Sequence, residues 1–301
     1  MQRYNKLVKK YTNLTLWLGF IVDIILGFFK VIIGTFSFNA ALIADGVHSF
    51  ADVVTDGVLL YFAKFWNAPP DRVHKYGHGK IETIASVFMG FFLLTIAIII
   101  TYEAVIAIIN SSTITTNEVL VVIISVISIL AKEFLYRSSS YYAEKINSQA
   151  LKANALHHRT DSISSFVVIV AVICNLVFPT FHYFNEIGAI IIALILLKMS
   201  WDLVYTGILE LTDISDNVIE AELLKMAIGN QDIKEIHKIR SRKLGGKILI
   251  DMHMLIDPNL SLRDAHDISE RFKDKVMSVN SNIQDITIHI EPDIVSERYY
   301  H

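Results

Sequence analysis

A single cysteine, Cys174, in 301 residues leaves no partner for an intrachain disulfide and excludes a cysteine-built metal cluster. Charge is also scarce: 19% of residues are Asp, Glu, Lys or Arg, below the roughly 25% of an ordinary soluble domain. Basic residues are in no excess. The 27 Lys and Arg against 30 Asp and Glu give a formal charge of −3, which excludes a nucleic-acid binder working by bulk charge. In place of charge the chain carries 53% apolar residues, which excludes disorder and argues against a purely soluble enzyme. Metal chemistry, if present, must use Asp, Glu and the 11 histidines.

Apolar stretches fall at 12–34, 39–65, 82–109, 117–137, 155–178 and 186–208, each near the ~20 residues that a spanning helix needs. The runs 119–131 and 187–197 read as apolar on every face and are expected to touch lipid. No cleavable signal is expected, because the first stretch is long and lacks a small-residue cleavage site; it reads as a signal anchor retained as the first span. Three connections, Thr35–Asn39, Asn110–Glu118 and Pro179–Glu186, contain no Lys or Arg. The alternate segments hold Arg3, Lys6, Lys9 and Lys10; Lys64, Arg72, Lys75 and Lys80; and Lys132, Arg137, Lys145, Lys152 and Arg159. This asymmetry predicts six spans with both termini cytoplasmic.

From about Glu210 the composition changes, and 209–301 carries 12 basic and 17 acidic residues. Its pattern predicts a helix over 216–228, strands over 234–242 and 247–256 around Gly245-Gly246, a helix over 261–278 capped by Ser261, and a strand over 284–291. The expectation is therefore an α-helical membrane protein with six transmembrane helices in 1–208. A cytoplasmic α+β domain of ferredoxin-like, αββαβ order fills 209–301.

Asp23, Asp45, His48, Asp52, Asp56, His157 and Asp161 fall inside or at the edge of apolar spans. An ionised Asp at the bilayer centre costs roughly 2.5–3.5 kcal/mol on insertion scales, so such residues are expected to face the bundle interior. At about 100° per residue, Asp45, His48, Asp52 and Asp56 share one side of the second span. Asn154, His157 and Asp161 share one side of the fifth, with His158 directed elsewhere, to the cytoplasmic-side surface or another helix. The pairs His48/Asp52 and His157/Asp161 can then face each other and offer two nitrogens and two oxygens, a tetrahedral set that Zn²⁺ accepts. A hydrogen-bonded polar contact between helices is the other reading. Asp45 reads either as an outer-shell, proton-relay or ion-entry group or as a structural partner of Lys30. Asp56 and Asn154 are candidates for the outer shell or proton path, and Asp23 for the proton path or a buried hydrogen bond.

The runs ALIADGVHSFADVVTD (41–56), PPDRVHKYGHGKIETIAS (69–86) and NALHHRTDSISS (154–165) resemble those of the cation diffusion facilitator family of divalent-metal/proton antiporters. The resemblance extends over the six spans and the tail. It implies a transport site of His48, Asp52, His157 and Asp161. Some bacterial members have Asp where His48 stands and animal zinc transporters have His, which favours Zn²⁺ over Mn²⁺ or Fe²⁺. Cd²⁺ and Co²⁺ are expected to be accepted as well.

The resemblance further implies a loop site of Asp71, His74 and His78, whose other reading is a solvated, helix-starting loop. It implies regulatory zinc bound between two cytoplasmic domains by His237, His253, His266, His289 and Glu291, the last standing where a bacterial relative has Asp. Lys80 and Asp213 match a charge pair at a homodimer junction, the other reading being that Lys80 only marks the positive-inside boundary. Both tails of such a dimer are acidic, so bound cations would bridge them. The expected partners are the metal, protons, membrane lipid and a second copy of the chain, with no nucleic acid, and the chain's length and short outer loops point to the plasma (inner) membrane. Ligands must lose protons to coordinate, and imidazole as a group titrates near neutral pH, so an inward proton gradient is expected to drive metal export.

An intramembrane metallohydrolase would need an open coordination position and a His-Glu-x-x-His motif, which the sequence lacks. No enzymatic activity is expected. A membrane-bound metal sensor whose working part is the tail would not need carboxylates within the spans.

Overall fold

A computed structural model of the chain describes residues 2–66, 68–110, 117–146, 149–178, 180–181 and 183–294. The side chains at 2–14 and that of Asp56 lie outside the described residues. Six long helices come first: α1 (Gln2–Phe36), α2 (Ala40–Trp66), α3 (Lys80–Ile109), α4 (Glu118–Ile146), α5 (Gln149–Val177) and α6 (Phe184–Leu211). Among the described residues, all but α2 include a segment long and apolar enough to cross a membrane. The sixth, α2, is comparably long, but Asp45, Asp52 and Asp56 interrupt its apolar run. The backbone needs only itself for hydrogen bonding in this form, the condition that lipid imposes.

The chain divides into two compact units, Met1–Leu60 with Met89–Leu203 and Tyr61–Phe88 with Val204–His301. In the first, Leu42, Val121, Ile124, Val168, Val172 and Ile192 pack with alanines of α2, α3 and α6. Small residues let the helices approach. A Cβ on Gly34 would meet Ile43 at 2.8 Å, and one on Gly46 would meet Val31 at 2.7 Å. This close passage of α1 against α2 brings Lys30 within reach of Asp45. Phe28, Ile98, Leu130 and Ile163 point outward, as expected of helices solvated by lipid.

The structure corrects two expectations here. The run 119–131 is not uniform: Val121, Ser125 and Ser128 are fully buried while Val119, Ile123, Ile127 and Leu130 are exposed. Lys132, read as a loop cation, lies within α4 and is 1% exposed, one turn beyond Ser128 on the same side. The fourth-to-fifth connection shrinks accordingly. α4 runs to Ile146 and α5 starts at Gln149, because the basic segment between the apolar stretches holds good helix formers and no proline.

The second unit contains α7 (Asn217–Ile228), β1 (Glu235–Leu244), β2 (Lys247–Ile256), α8 (Leu262–Val279) and β3 (Ile283–Pro292). Every element falls within a few residues of its expected span. The sheet order is β1-β2-β3, with β1/β2 antiparallel and β2/β3 parallel. A two-residue turn suffices for the first pair, and the parallel pair requires the α8 crossover. Gly245 supplies the turn's positive φ of 63°, a conformation costly for residues with a Cβ. Asp216 caps α7 and Ser261 caps α8, each accepting from a backbone N–H of the first turn. Strict alternation on β2 sends Ile248, Ile250, Met252, Met254 and Ile256 into a core with Leu223, Ile268, Phe272 and Val276. His253 therefore belongs to the opposite face.

Candidate metal sites

Helix α2 begins with Asn39, whose Oδ1 accepts from the Leu42 N–H at 2.9 Å while its Nδ2 donates to Asn185 Oδ1 at 3.0 Å. From that start, His48 and Asp52 come one turn apart on the buried side, 2% and 6% exposed. Asp161 of α5, 5% exposed, joins them. One ligand atom from each of His48, Asp52 and Asp161 lies within 4.8 Å of the others. His48 Nε2 stands 3.8 Å from Asp52 Oδ2. Among the described residues, His48 Nδ1 and Asp52 Oδ2 are buried without a hydrogen-bond partner. Orphaned donors and acceptors in an apolar bundle are costly, and a bound dication would relieve both carboxylates at once.

His157, expected as the fourth ligand, stands outside this trio. Its Nδ1 is 3.5 Å from Asp161 Oδ1, and its side chain is 37% exposed. His158, expected against the cytoplasmic-side surface or another helix, is the buried one of the two. It makes a 3.3 Å hydrogen bond with Asn154, lies 3.9 Å from Asp161 Oδ2, and rests against α1 where Gly19 leaves room for its ring. The positions differ by 100° around α5, so both histidines flank the Asp161 side. The helical-wheel reading took too narrow an arc.

Sequence reasoning also missed Lys132. Its Nζ lies 2.6 Å from Asp23 Oδ1 and 2.8 Å from Asp161 Oδ2, joining α1, α4 and α5. The signal was present as Ser125, Ser128 and Lys132, spaced three and four apart on an otherwise apolar helix. Asp45 is a partner of Lys30 at 3.0 Å and accepts from Ser164 and Ser165. Asp23 takes the buried polar reading through Lys132. The side chain of Asp56 is outside the described residues.

The loop candidates also converge: Asp71, His74 and His78 each place a ligand atom within 4.8 Å of the others. Asp71 Oδ1 accepts the backbone N–H groups of His74 and Val73 at 2.5 and 2.8 Å, and these hold its carboxyl below the ordinary range. The carboxylate thus stays ionised 3.5 Å from His74 and 3.4 Å from His78.

In the C-terminal domain, strand pairing builds the site. His237 pairs with His253 across β1/β2, and His253 with His289 across β2/β3, so three imidazoles form one row. Glu291, two residues past His289, points to the same face. His253 Nδ1 lies 2.7 Å from Glu291 Oε1, and His237 Nε2 lies 3.2 Å from Glu291 Oε2. Their ligand atoms form a compact group with two nitrogens and a carboxylate, a donor set suited to Zn²⁺. His237 Nδ1 is buried without a hydrogen-bond partner among the described residues. His289 adjoins at 3.7 Å from Glu291 but is 66% exposed. His266, expected with them, is exposed on α8 and outside the group. Within one chain α8 forms the other layer of the fold, whereas the expected zinc lies between two cytoplasmic domains.

Lys80 Nζ and Asp213 Oδ1 pair at 2.8 Å within one chain. Beside them Glu210 accepts from Thr83 Oγ1 at 2.5 Å and from the Gly245 N–H at 2.8 Å. The β1/β2 turn is thereby tied to the ends of α3 and α6.

Comparison with known proteins bears on this arrangement. Residues 16–212 match the model of the cation efflux transmembrane domain, and 216–293 that of the cation efflux protein cytoplasmic domain. An uncharacterised transporter of Methanocaldococcus jannaschii is 33% identical, over 91% of this chain and 96% of its own. The manganese efflux system protein MneP of Bacillus subtilis is 30% identical, over 91% and 94%. A solved metal-bound C-terminal domain of the CzcD transporter from Thermotoga maritima is 25% identical, covering 26% of this chain and 93% of its own, with a TM-score of 0.25. The chain is a multi-pass membrane transporter of divalent metal cations, not an enzyme, and belongs to the cation efflux, or cation diffusion facilitator, family.

Proposed function

We propose that the chain exports Zn²⁺ from the cytoplasm in exchange for protons. It works as a homodimer in the plasma (inner) membrane with both termini cytoplasmic. The observation that carries this reading is the buried trio His48, Asp52 and Asp161, with orphaned atoms on two of its members. Imidazole in the set suits Zn²⁺, and Cd²⁺ or Co²⁺ would bind similarly. His157 lies one contact away on Asp161 and completes four-coordination after a side-chain rotation. The orientation is supported by Arg137, Lys145, Lys152 and Arg159, which keep that side basic without Lys132.

In this mechanism the metal arrives from the cytoplasm and displaces protons from the ligands. The bundle then exposes the site outward, and incoming protons compete for the same atoms. Zinc at His237, His253 and Glu291 would order the cytoplasmic domains and tie activity to cytosolic metal. The loop trio Asp71, His74 and His78 is a weaker, exposed collecting site.

Manganese is the second reading, with Fe²⁺ as a related case. The trio holds one nitrogen and two carboxylates, a harder set than the four-ligand arrangement, and the MneP relative is named for manganese efflux.

Purified full-length protein in liposomes with a pH gradient tests both readings. Zinc entry with proton counterflow that His48→Ala and Asp52→Ala abolish is the expected result. Flux surviving those changes overturns the site. Manganese flux exceeding zinc selects the second reading, and metal bound only at the tail without flux would make the chain a sensor.

A further inference from the structure

The buried charges of the helical unit do not balance. Among the described residues, the buried Asp, Glu, Lys and Arg side chains are Asp23, Lys30, Asp45, Asp52, Lys132 and Asp161. Counted as ions, four carboxylates face two ammonium groups, an excess of two negative charges. One pair is closed: Lys30 and Asp45 are 3.0 Å apart, and serines satisfy the remaining atoms. The excess therefore lies with Asp23, Asp52 and Asp161, shared by the one cation Lys132. A low-dielectric interior penalises net charge severely. A dication at His48, Asp52 and Asp161 closes this set to neutrality, which a monovalent cation does not.

Lys132 does more than set the sum. Its ammonium stands on Asp161, a member of the trio, and equally on Asp23, which is not. A tethered cation on a ligand carboxylate competes with a metal for it. Asp23, 2.6 Å from the same nitrogen, offers a resting place when the metal takes Asp161.

We propose that Lys132 is the affinity-setting residue of the transport site. It is an internal competitor that shifts toward Asp23 as a dication binds and returns to Asp161 as the dication leaves. It keeps the site from holding its cargo too tightly, and no step requires the lysine to lose its proton. Lys132 acts on the metal through Asp161 and is a positioning residue, not a ligand.

This rests on the transport-site reading above, and the test separates the two. Zinc flux into liposomes is measured against zinc concentration for full-length wild type, Lys132→Gln, Lys132→Arg, the double variant Asp23→Asn/Lys132→Met, and His48→Ala. Removing one positive charge beside the site is expected to lower KM by about tenfold or more, since unit charges a few ångströms apart interact strongly at interior dielectrics. Maximal flux should fall with it, because release slows. Asp23→Asn/Lys132→Met keeps the excess at two and still removes the competitor, so its KM also falls. Lys132→Gln keeps a hydrogen-bonding group between both acids and gives the same result where the double variant fails to fold. Lys132→Arg stays near wild type in KM. An unchanged or raised KM in a folded neutral variant, with His48→Ala inactive, overturns the competitor role and leaves the site standing. Flux that survives His48→Ala overturns the site itself, and the competitor role with it.

Discussion

Lys30 Nζ lies 3.0 Å from Asp45 Oδ2, with both side chains withdrawn from solvent. Lys30 also donates to Ser49 at 3.2 Å, and Asp45 accepts from Ser164 at 2.5 Å and Ser165 at 2.7 Å. The pair thus links α1, α2 and α5 and leaves neither partner with unmet demand. Breaking one side strands a charge, and Lys30→Met should destabilise the bundle by about 3–5 kcal/mol. Lys30→Met/Asp45→Leu should regain most of that loss, because no charge is then left behind. Thermal unfolding in detergent reads the recovery and liposome flux reads the role. A folded double variant that still transports makes the pair structural; one that folds without transporting places Asp45 on the ion or proton path.

The turn of β1/β2 gives a second test, on adjacent glycines. Gly245 has φ +63°, and a Cβ there would lie 2.7 Å from Glu82 Oε2 and 3.0 Å from the Gly79 carbonyl oxygen. Gly246 has nothing within 4 Å of a built Cβ. Gly245→Ala should therefore cost about 1–2 kcal/mol from left-handed backbone alone, and more from displacing Glu82 and the hydrogen bond to Glu210. Gly246→Ala should stay within about 0.5 kcal/mol, as for other unencumbered surface changes. Equal unfolding midpoints for the two variants would refute the docked geometry of the turn.

The histidine row gives the third. Zinc held by His237, His253 and Glu291 should weaken by roughly 10–100-fold in His253→Ala, the range typical of disturbing an orienting partner or more. That estimate treats the His253–Glu291 contact as the centre of the group, since Glu291 touches both histidines. His266→Ala, on α8 and outside the group within one chain, should weaken zinc binding less. Equilibrium competition with a zinc chelator on the full-length protein, in a His48→Ala background that silences the membrane site, makes the comparison. Equal losses for His253→Ala and His266→Ala would return His266 to the site.

Much of this was legible in the sequence for plain physical reasons. The turn glycines Gly245-Gly246, the cap at Ser261 and the strand pattern of 247–256 each have one structural solution, so the tail's elements fell where expected. His48 and Asp52 stood out because lipid makes ionisable side chains conspicuous. Lys132 was hidden by the reverse logic: a lysine near the end of an apolar run reads as a membrane-boundary charge, and only the packing of α1 and α5 against α4 shows that it is enclosed. Which of His157 and His158 is buried was not legible, because adjacent helical residues both flank one face and the gap at Gly19 on α1 decides which of them is enclosed. His266 was grouped by family position with a zinc between two cytoplasmic domains, and within one chain it stands on α8, outside the row that strand register sets.

Glu291 supplies the last prediction, on pH. Burial alone would raise its carboxyl, but the hydrogen bond with His253 and the nearby imidazoles of His237 and His289 outweigh burial and hold it below the ordinary value. A carboxyl whose folded-state pKa is depressed contributes stability above its unfolded pKa of about 4.3 and loses it as pH falls through the folded value. In chelator-treated protein, Glu291→Gln should therefore lower the unfolding midpoint at neutral pH, by an amount corresponding to about 1 kcal/mol or less given partial exposure. The gap between wild type and variant should close below about pH 4, as the wild-type side chain becomes the neutral acid that glutamine imitates. Other carboxylates titrate in the same window, so the gap between the two proteins, rather than either curve, is the reading. A gap that widens on acidification would mean that the wild-type carboxyl is held above its ordinary value, and the imidazole row would then not be what sets its charge.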